Sequence, residues 1–365
     1  MKEKRNLNTK GGDKLMLYIG MDLHKNTSTF AVKDKDGNVI DNSKITTEPS
    51  AIKGYLRKYP NARLVLEPVS QWYYYGDLIQ KLGLDVKIAN PLKVKAIASA
   101  RIKTDKIDAN VLCDLLRANL LPEAYFANAE VRNWKEMVRF RASLIRLRTQ
   151  VKNKIHSILF RNALRHPFTD LFGKAGRLWL DSLKLNEHFS FNLKRYLSLI
   201  DAFGDLIKSA DEKIEKTVTN HPQAKLLTTI PGISYCSGLT IMAEIGDVNR
   251  FPSAKKLQGY AGLVPSTYSS GNRTAHGRIT KQGSRWLRWT MVEIAQRQLI
   301  CKKIPGFGWY YQRIKQRKGS GAAAVATARK LLAVVWRMLK DNRPFEIIPP
   351  KLEVRDADRK TIVSR

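Results

Sequence analysis

The first third of the chain alternates short apolar runs of strand length with stretches that read as helices. Leu17-Tyr18-Ile19-Gly20-Met21-Asp22 is apolar and closes on an acid. Thr29-Phe30-Ala31-Val32, the turn Lys33-Asp34-Lys35-Asp36-Gly37, and Val39-Ile40 with a Thr-rich stretch behind it predict antiparallel hairpin strands. Arg63-Leu64-Val65-Leu66-Glu67 is another strand closing on an acid, and Asp85-Val86-Lys87-Ile88-Ala89 is a fifth. Strands alternating with helices predict an α/β sheet.

The period then changes to that of long helices. From about Val131 to Arg161, Met137, Leu144, Val151 and Ile158 recur every seven residues, while Arg139, Arg141, Arg146, Arg148, Lys152 and Lys154 occupy much of the remaining surface. From about Phe191 to Val218, Leu193, Tyr196, Ile200, Phe203, Ile207, Ala210 and Ile214 follow at steps of three and four. Such seams belong to coiled coils or antiparallel helix pairs. They suit a homo-oligomer, a dimer or tetramer, and equally two helices packed within one subunit. From Leu226 onward the pattern is mostly helical.

Composition sharpens this picture. The chain has 365 residues, enough for two compact domains with connecting helices. Lys and Arg number 65 against 32 Asp and Glu, a formal charge of +33. A surface that positive repels itself unless it meets a polyanion, and a nucleic acid backbone is the obvious one. Between Phe251 and Lys340 there are 18 Lys and Arg and a single acid, Glu293, so that stretch should lie along phosphates. Cys113, Cys236 and Cys301 are scattered, which suits buried thiols in a reducing cytoplasm. The six histidines show no metal-ligand spacing. No apolar run approaches the roughly 20 residues that span a membrane, so no membrane partner is expected. Met1 to Lys14 is basic without an apolar core, and reads as a short tail.

Four acids stand out by placement. Asp22 and Glu67 each end a strand-like run, and Asp105 and Asp108 lie three apart at the opening of a helix. Residues at i and i+3 share a helix face, so both carboxylates can point at one centre. Mg²⁺ takes carboxylate oxygens while keeping several waters, and such ions assist phosphoryl transfer. A single acid is more often a cap, and Asp105 follows Thr104 near a helix start. Taken in order, strand–acid, hairpin, strand–acid and helix–acid pair follow the plan of a ribonuclease-H-like nuclease.

A second constellation runs from Gly262-Leu263-Val264-Pro265 through Ser269-Ser270-Gly271 to Gly277-Arg278-Ile279-Thr280-Lys281-Gln282-Gly283. A Ser–Gly step in a loop gives an approachable hydroxyl, and Arg273, Arg278, Lys281, Arg285 and Arg288 can clamp a phosphate. Read alone, this is a phosphate-contacting turn or a nucleophile. Tyr268 beside it keeps a tyrosine nucleophile open.

In these residues the chain resembles the DEDD transposases of the IS-one-ten family of insertion sequences, over about Leu15 to Phe345. Tyr18-Ile19-Gly20-Met21-Asp22 matches the family's first acid, Leu66-Glu67-Pro68 its second, and Lys103-Thr104-Asp105-Lys106-Ile107-Asp108-Ala109 its third and fourth. Ile230-Pro231-Gly232-Ile233 and the serine segment match its second half.

The resemblance implies an α/β plus all-α architecture. Its expected parts are a basic tail at 1–14, a RuvC-like domain at 15–128, a helical coiled-coil connector at 129–220, a helical transposase domain at 221–345 and a tail at 346–365. It also implies Mg²⁺ held by Asp22, Glu67, Asp105 and Asp108, and an active site composite across subunits. Ser270 is the implied nucleophile that becomes covalently attached to cleaved DNA. A structured noncoding guide RNA would pair with donor and target DNA, in the nucleoid of a prokaryote. Arg141 and Arg148, with the cations after Ser270, would then contact nucleic acid. Two rivals on the residues alone are a junction-resolving nuclease that uses water and a non-catalytic nucleic-acid scaffold.

Overall fold

A computed structural model describes residues 16–98, 104–271, 273–298 and 305–346. The expected N-terminal tail and nearly all of the C-terminal one lie outside these residues. The chain divides into two compact units, 1–126 and 127–365.

The first unit holds β1 (Tyr18–Leu23), β2 (Thr27–Lys33), β3 (Val39–Thr46), α1 (Pro49–Leu56), β4 (Arg63–Leu66), α2 (Trp72–Gln80), β5 (Asp85–Ala89), α3 (Pro91–Ile97), α4 (Asp105–Arg117) and β6 (Glu123–Ala124). The sheet order is β3-β2-β1-β4-β5-β6. β1, β4 and β5 run parallel and the remaining pairings are antiparallel. Alternation along each strand sorts the side chains into two layers. Ile19, Met21, Leu23, Phe30, Leu64 and Leu66 pack in one core with Ile52 and Leu56 of α1 and Ile79 of α2. On the other face small residues prevail, with Ala31 packed against Ala109 and Cys113 of α4, and Val65 and Ala89 against Leu112 and Leu116. Small strand residues let a helix approach closely. The expected N-terminal α/β domain is present, with the short edge strand β6 added.

The second unit holds α5 (Ala129–Arg161), α6 (Lys174–Ser182), α7 (Glu187–Thr219), α8 (Pro222–Leu227), α9 (Tyr235–Ile245), α10 (Ala254–Tyr260), β7 (Pro265–Ser270), β8 (Arg273–Ile279), α11 (Arg285–Arg297) and α12 (Pro305–Asp341). α5 and α7 are the two long helices that the seams predicted. They pack against each other within the chain, and α9 packs against both, so the helices of the expected connector share their packing with those that follow. Leu144, Ile155 and Ile158 of α5 and Leu193, Leu197, Ile200 and Ile207 of α7 are buried.

One segment differs from the expectation of a loop in a helical domain. The serine segment is an antiparallel β-hairpin, with Ser269 paired to Thr274 and Ser270 to Arg273. Its strands gave no period-2 apolar signal because β7 is exposed on both faces from Thr267 onward.

Candidate active site

β1 and β4 are parallel neighbours in which Met21 pairs with Leu66. The next residue on each chain is an acid, so Asp22 and Glu67 stand side by side at the C-terminal edge of the sheet. Met21 and Leu66 point into the core beneath α1 and α2, so alternation turns Asp22 and Glu67 toward α4. Thr104 caps α4, its hydroxyl accepting from the Ile107 amide at 3.3 Å. The capping reading of Asp105 therefore passes to its neighbour, and Asp105 and Asp108 fall in the first turn, where the helix dipole favours carboxylates.

These acids converge. Ligand atoms of Asp22, His24 and Asp105 lie within 4.8 Å of one another. Asp22 is 5% exposed, and burial pushes its carboxyl up. The hydrogen bond from His24 Nε2, 3.1 Å away, pulls it down, and the charges of Asp105 and Asp108 raise it again, leaving it above the usual range. Asp105 is held below its usual range, chiefly by a 2.9 Å hydrogen bond from Lys44 Nζ. Glu67 and Asp108 line a common cavity of about 320 Å³ with Lys95 and Leu112. All four predicted acids are thus brought to one edge of the first unit.

Three participants escaped the sequence reading. His24, which has no metal-ligand spacing to another histidine, enters the cluster because the chain bends just after β1. Lys44 arrives from β3. Thr29 is paired with Asp22 across β1 and β2, and its buried hydroxyl has no hydrogen-bond partner among the described residues. Opposite residues of an antiparallel pair share a face. An orphaned hydroxyl beside a buried carboxylate, among further carboxylates, is a hard-oxygen donor set that fits a hydrated divalent cation. The only sequence signal for these three was proximity to strands that carry or flank an acid.

The serine hairpin belongs to the second unit. Its base is closed by Thr280 N donating to Val264 O at 2.9 Å and Lys281 N to Gly262 O at 3.2 Å. Gly283 (φ +100°) lies where a Cβ would stand 2.1 Å from the Tyr260 carbonyl oxygen, so the segment docks on the end of α10 only with glycine there. Ser284 caps α11 and donates to Glu244 Oε2 at 2.8 Å, and Arg288 donates to Ala261 O at 3.0 Å. At the tip, the Ser269 and Thr274 hydroxyls are 3.2 Å apart. No hydrogen bond holds the Ser270 hydroxyl among the described residues. Ser270, Tyr268 and Arg273 line one surface depression, and Arg273, Arg278, Lys281 and Arg285 are exposed.

The two expected contacts on α5 differ from each other. Arg141 forms a bidentate ion pair with Asp211 of α7, its second bond being 3.1 Å long, so it braces the helix pair. Arg148 is half-buried on the same helix.

Residues 19–161 match the DEDD transposase family model of IS110, and residues 224–312 match the model described as the transposase IS116/IS110/IS902 family. The chain is 25% identical to the transposase for insertion sequence element IS1328 of Yersinia enterocolitica, over 90% of this chain and 98% of that one. It is 23% identical to a probable family 20 transposase of Pseudomonas aeruginosa, over 88% and 96%. It is also 25% identical to the pilin gene-inverting protein of Moraxella lacunata, over 90% and 97%. The RuvC-like label fits the first match, and a DEDD site calls for a divalent metal. The chain belongs to the IS110 family of insertion-sequence transposases, enzymes that cleave and transfer DNA strands.

Proposed function

We propose that this transposase is an RNA-guided DNA recombinase that joins a Mg²⁺-dependent carboxylate site to a serine nucleophile. The observation that carries the reading is the placement of Asp22 and Glu67 after paired residues of neighbouring strands, beside Asp105 and Asp108 in the first turn of α4, with the Asp22 carboxylate buried. Bound Mg²⁺ would supply charge to the scissile phosphate and acidify an attacking hydroxyl. Asp22, Glu67, Asp105 and Asp108 are the ligands that would hold it.

Ser270 is the attacking group. Its Oγ bonds to phosphorus, the phosphorus–oxygen bond to one deoxyribose breaks, and the serine proton ends on the departing sugar hydroxyl. The phosphodiester energy is kept in the protein–DNA link, and a hydroxyl of another DNA strand reverses the step. Arg273, Arg278, Lys281, Arg285 and Arg288 stabilise the phosphate charge, and Arg148 extends the track. Two features support the choice of serine: the Ser269 hydroxyl sits within reach of Thr274, and Ser270 stands at the hairpin tip beside Gly271.

A +33 chain whose sequence shows no base-reading motif suits a large structured RNA whose pairing supplies specificity. The working form is a homo-oligomer, dimer or tetramer. The test is denaturing electrophoresis of labelled DNA after reaction in Mg²⁺, with and without protease. A protease-sensitive adduct in the wild type that disappears in Ser270→Ala is expected. Cleavage by the wild type with no adduct overturns the serine step in favour of a water-using nuclease. Guidance is tested separately: the purified protein should carry a defined RNA, and site-defined recombination at the same rate without RNA overturns it.

A further inference from the structure

The first half of α12 carries an aromatic ring on its polar face. Phe307, Tyr311 and Ile314 recur at helical spacing. Phe307 is 7% exposed and Tyr311 3%, and Tyr311 packs with Ala323 and Ala324, with Val292 and Ile314 beside it. Tyr310 is covered by the Lys330 ammonium, 4.6 Å from its ring centroid. Trp309 belongs to the opposite side. At about 100° per residue it shares a face with Gln312, Arg313 and Gln316, all exposed.

Trp309 itself is 62% exposed, and the Arg313 guanidinium lies over one face of its ring, 5.3 Å from the centroid. Arg317 follows one turn on, Lys315 and Lys318 flank the face, and no acid occurs between Glu293 and Asp341. Gly319 then breaks the helix with φ +81°, a backbone conformation that ends the basic segment there. A flat exposed ring among guanidinium and amide groups has the composition that receives an unpaired base. The ring stacks on the base while cations take the neighbouring phosphates. Duplex DNA keeps its base faces stacked and offers the ring nothing.

We propose that the Trp309–Arg313–Gln316 face of α12 binds an unpaired stretch of the DNA strand, stacking one base on the indole with Arg313 and Arg317 on adjacent phosphates. Cleaved and exchanged strands pass through such unpaired stretches. The proposal rests on the reading that the chain handles DNA strands, and it uses none of the catalytic residues.

The test is fluorescence anisotropy with the full chain and a labelled single-stranded DNA of about 16 nucleotides, within the site size of such proteins. Three controls accompany it: the same strand with abasic sites throughout its centre, the duplex, and the RNA of the same sequence. Trp309→Ala should weaken single-stranded DNA about tenfold, in the range of one stacked base. Trp309→Phe should recover most of that loss, and neither change should alter abasic or duplex affinity. Unchanged single-strand affinity, or an equal loss on the abasic strand, overturns stacking. A loss confined to RNA overturns the assignment to DNA. A changed oligomeric mass by light scattering with unchanged DNA affinity makes the face an interface between copies, and also overturns it. Asp105→Asn separates this inference from the catalytic reading, because it should stop cleavage and leave the Trp309 contrast intact.

Discussion

Gly20 of β1 and Ala109 of α4 meet backbone to backbone. A Cβ on Gly20 would lie 1.9 Å from the Ala109 carbonyl oxygen and 2.6 Å from the Cys113 amide nitrogen. That approach sets the first turn of α4 beside the end of β1. Asp105 and Asp108, just before Ala109, thereby reach Asp22, two residues beyond Gly20.

Gly20→Ala should damage the site without touching an acid. The added methyl meets backbone, which cannot rotate away, so α4 must shift. Overpacking of this kind costs about 1–3 kcal/mol. Denaturant unfolding should show that loss, and strand cleavage should fall by more than the folded fraction does. A variant with wild-type stability and activity would show that close approach is not what aligns the acids.

Metal binding is readable without cleavage. Burial holds the Asp22 carboxyl above its usual range, so its ionisation opposes folding. The contribution is fully favourable below the unfolded-state pKa and is lost as pH rises through the higher folded one. The metal-free protein therefore loses stability as this carboxyl ionises, and a bound cation offsets that loss. Mg²⁺ at a hundred times its dissociation constant should stabilise the fold by about 2.7 kcal/mol. In thermal scans, Asp22→Asn should raise the metal-free melting temperature and erase the Mg²⁺ shift, and Asp108→Asn should weaken that shift. An undiminished Mg²⁺ shift in Asp22→Asn would place the ion elsewhere.

Ser269 and Ser270 should separate cleanly. Ser269→Ala removes a contact with Thr274 across the hairpin and should slow recombination only a few-fold. Ser270→Ala should keep DNA binding while removing recombination and adduct together. An adduct that persists in Ser270→Ala and vanishes in Ser269→Ala would move the nucleophile by one residue.

Arg141 and Arg148 should respond differently despite similar sequence settings. Arg141→Ala breaks the pair with Asp211 and should cost about 1 kcal/mol of stability, the scale of a partly exposed ion pair. A double-mutant cycle with Asp211→Ala should show the coupling. Arg148→Ala should leave stability unchanged, weaken nucleic-acid binding, and lower the dependence of affinity on salt by about one ion. The reverse pattern would return Arg141 to the binding surface.

How much of this was legible in advance depends on the residue. Asp22 and Glu67 were visible because each ends an apolar run, and Asp105 and Asp108 because i and i+3 share a helix face. Thr29 and Lys44 were not, since cross-strand register and not spacing carries them to the site. Arg141 shows the opposite limit, where a charge that matched a binding pattern was assigned by tertiary packing to Asp211.

The order of strands and helices, the two long helices, the excess of positive charge and the four acids follow from the sequence alone. They rest on local periodicity and composition, which need no distant partner. Tertiary structure decided three things that local pattern cannot encode. It folded the serine segment into a hairpin, because strands exposed on both faces have no apolar alternation to read. It brought His24, Thr29 and Lys44 to the acids, because side-chain neighbours across strands depend on register. It turned Trp309 outward and Tyr311 inward on one helix, because only the packed partners, Ala323 and Ala324, define which face is the core.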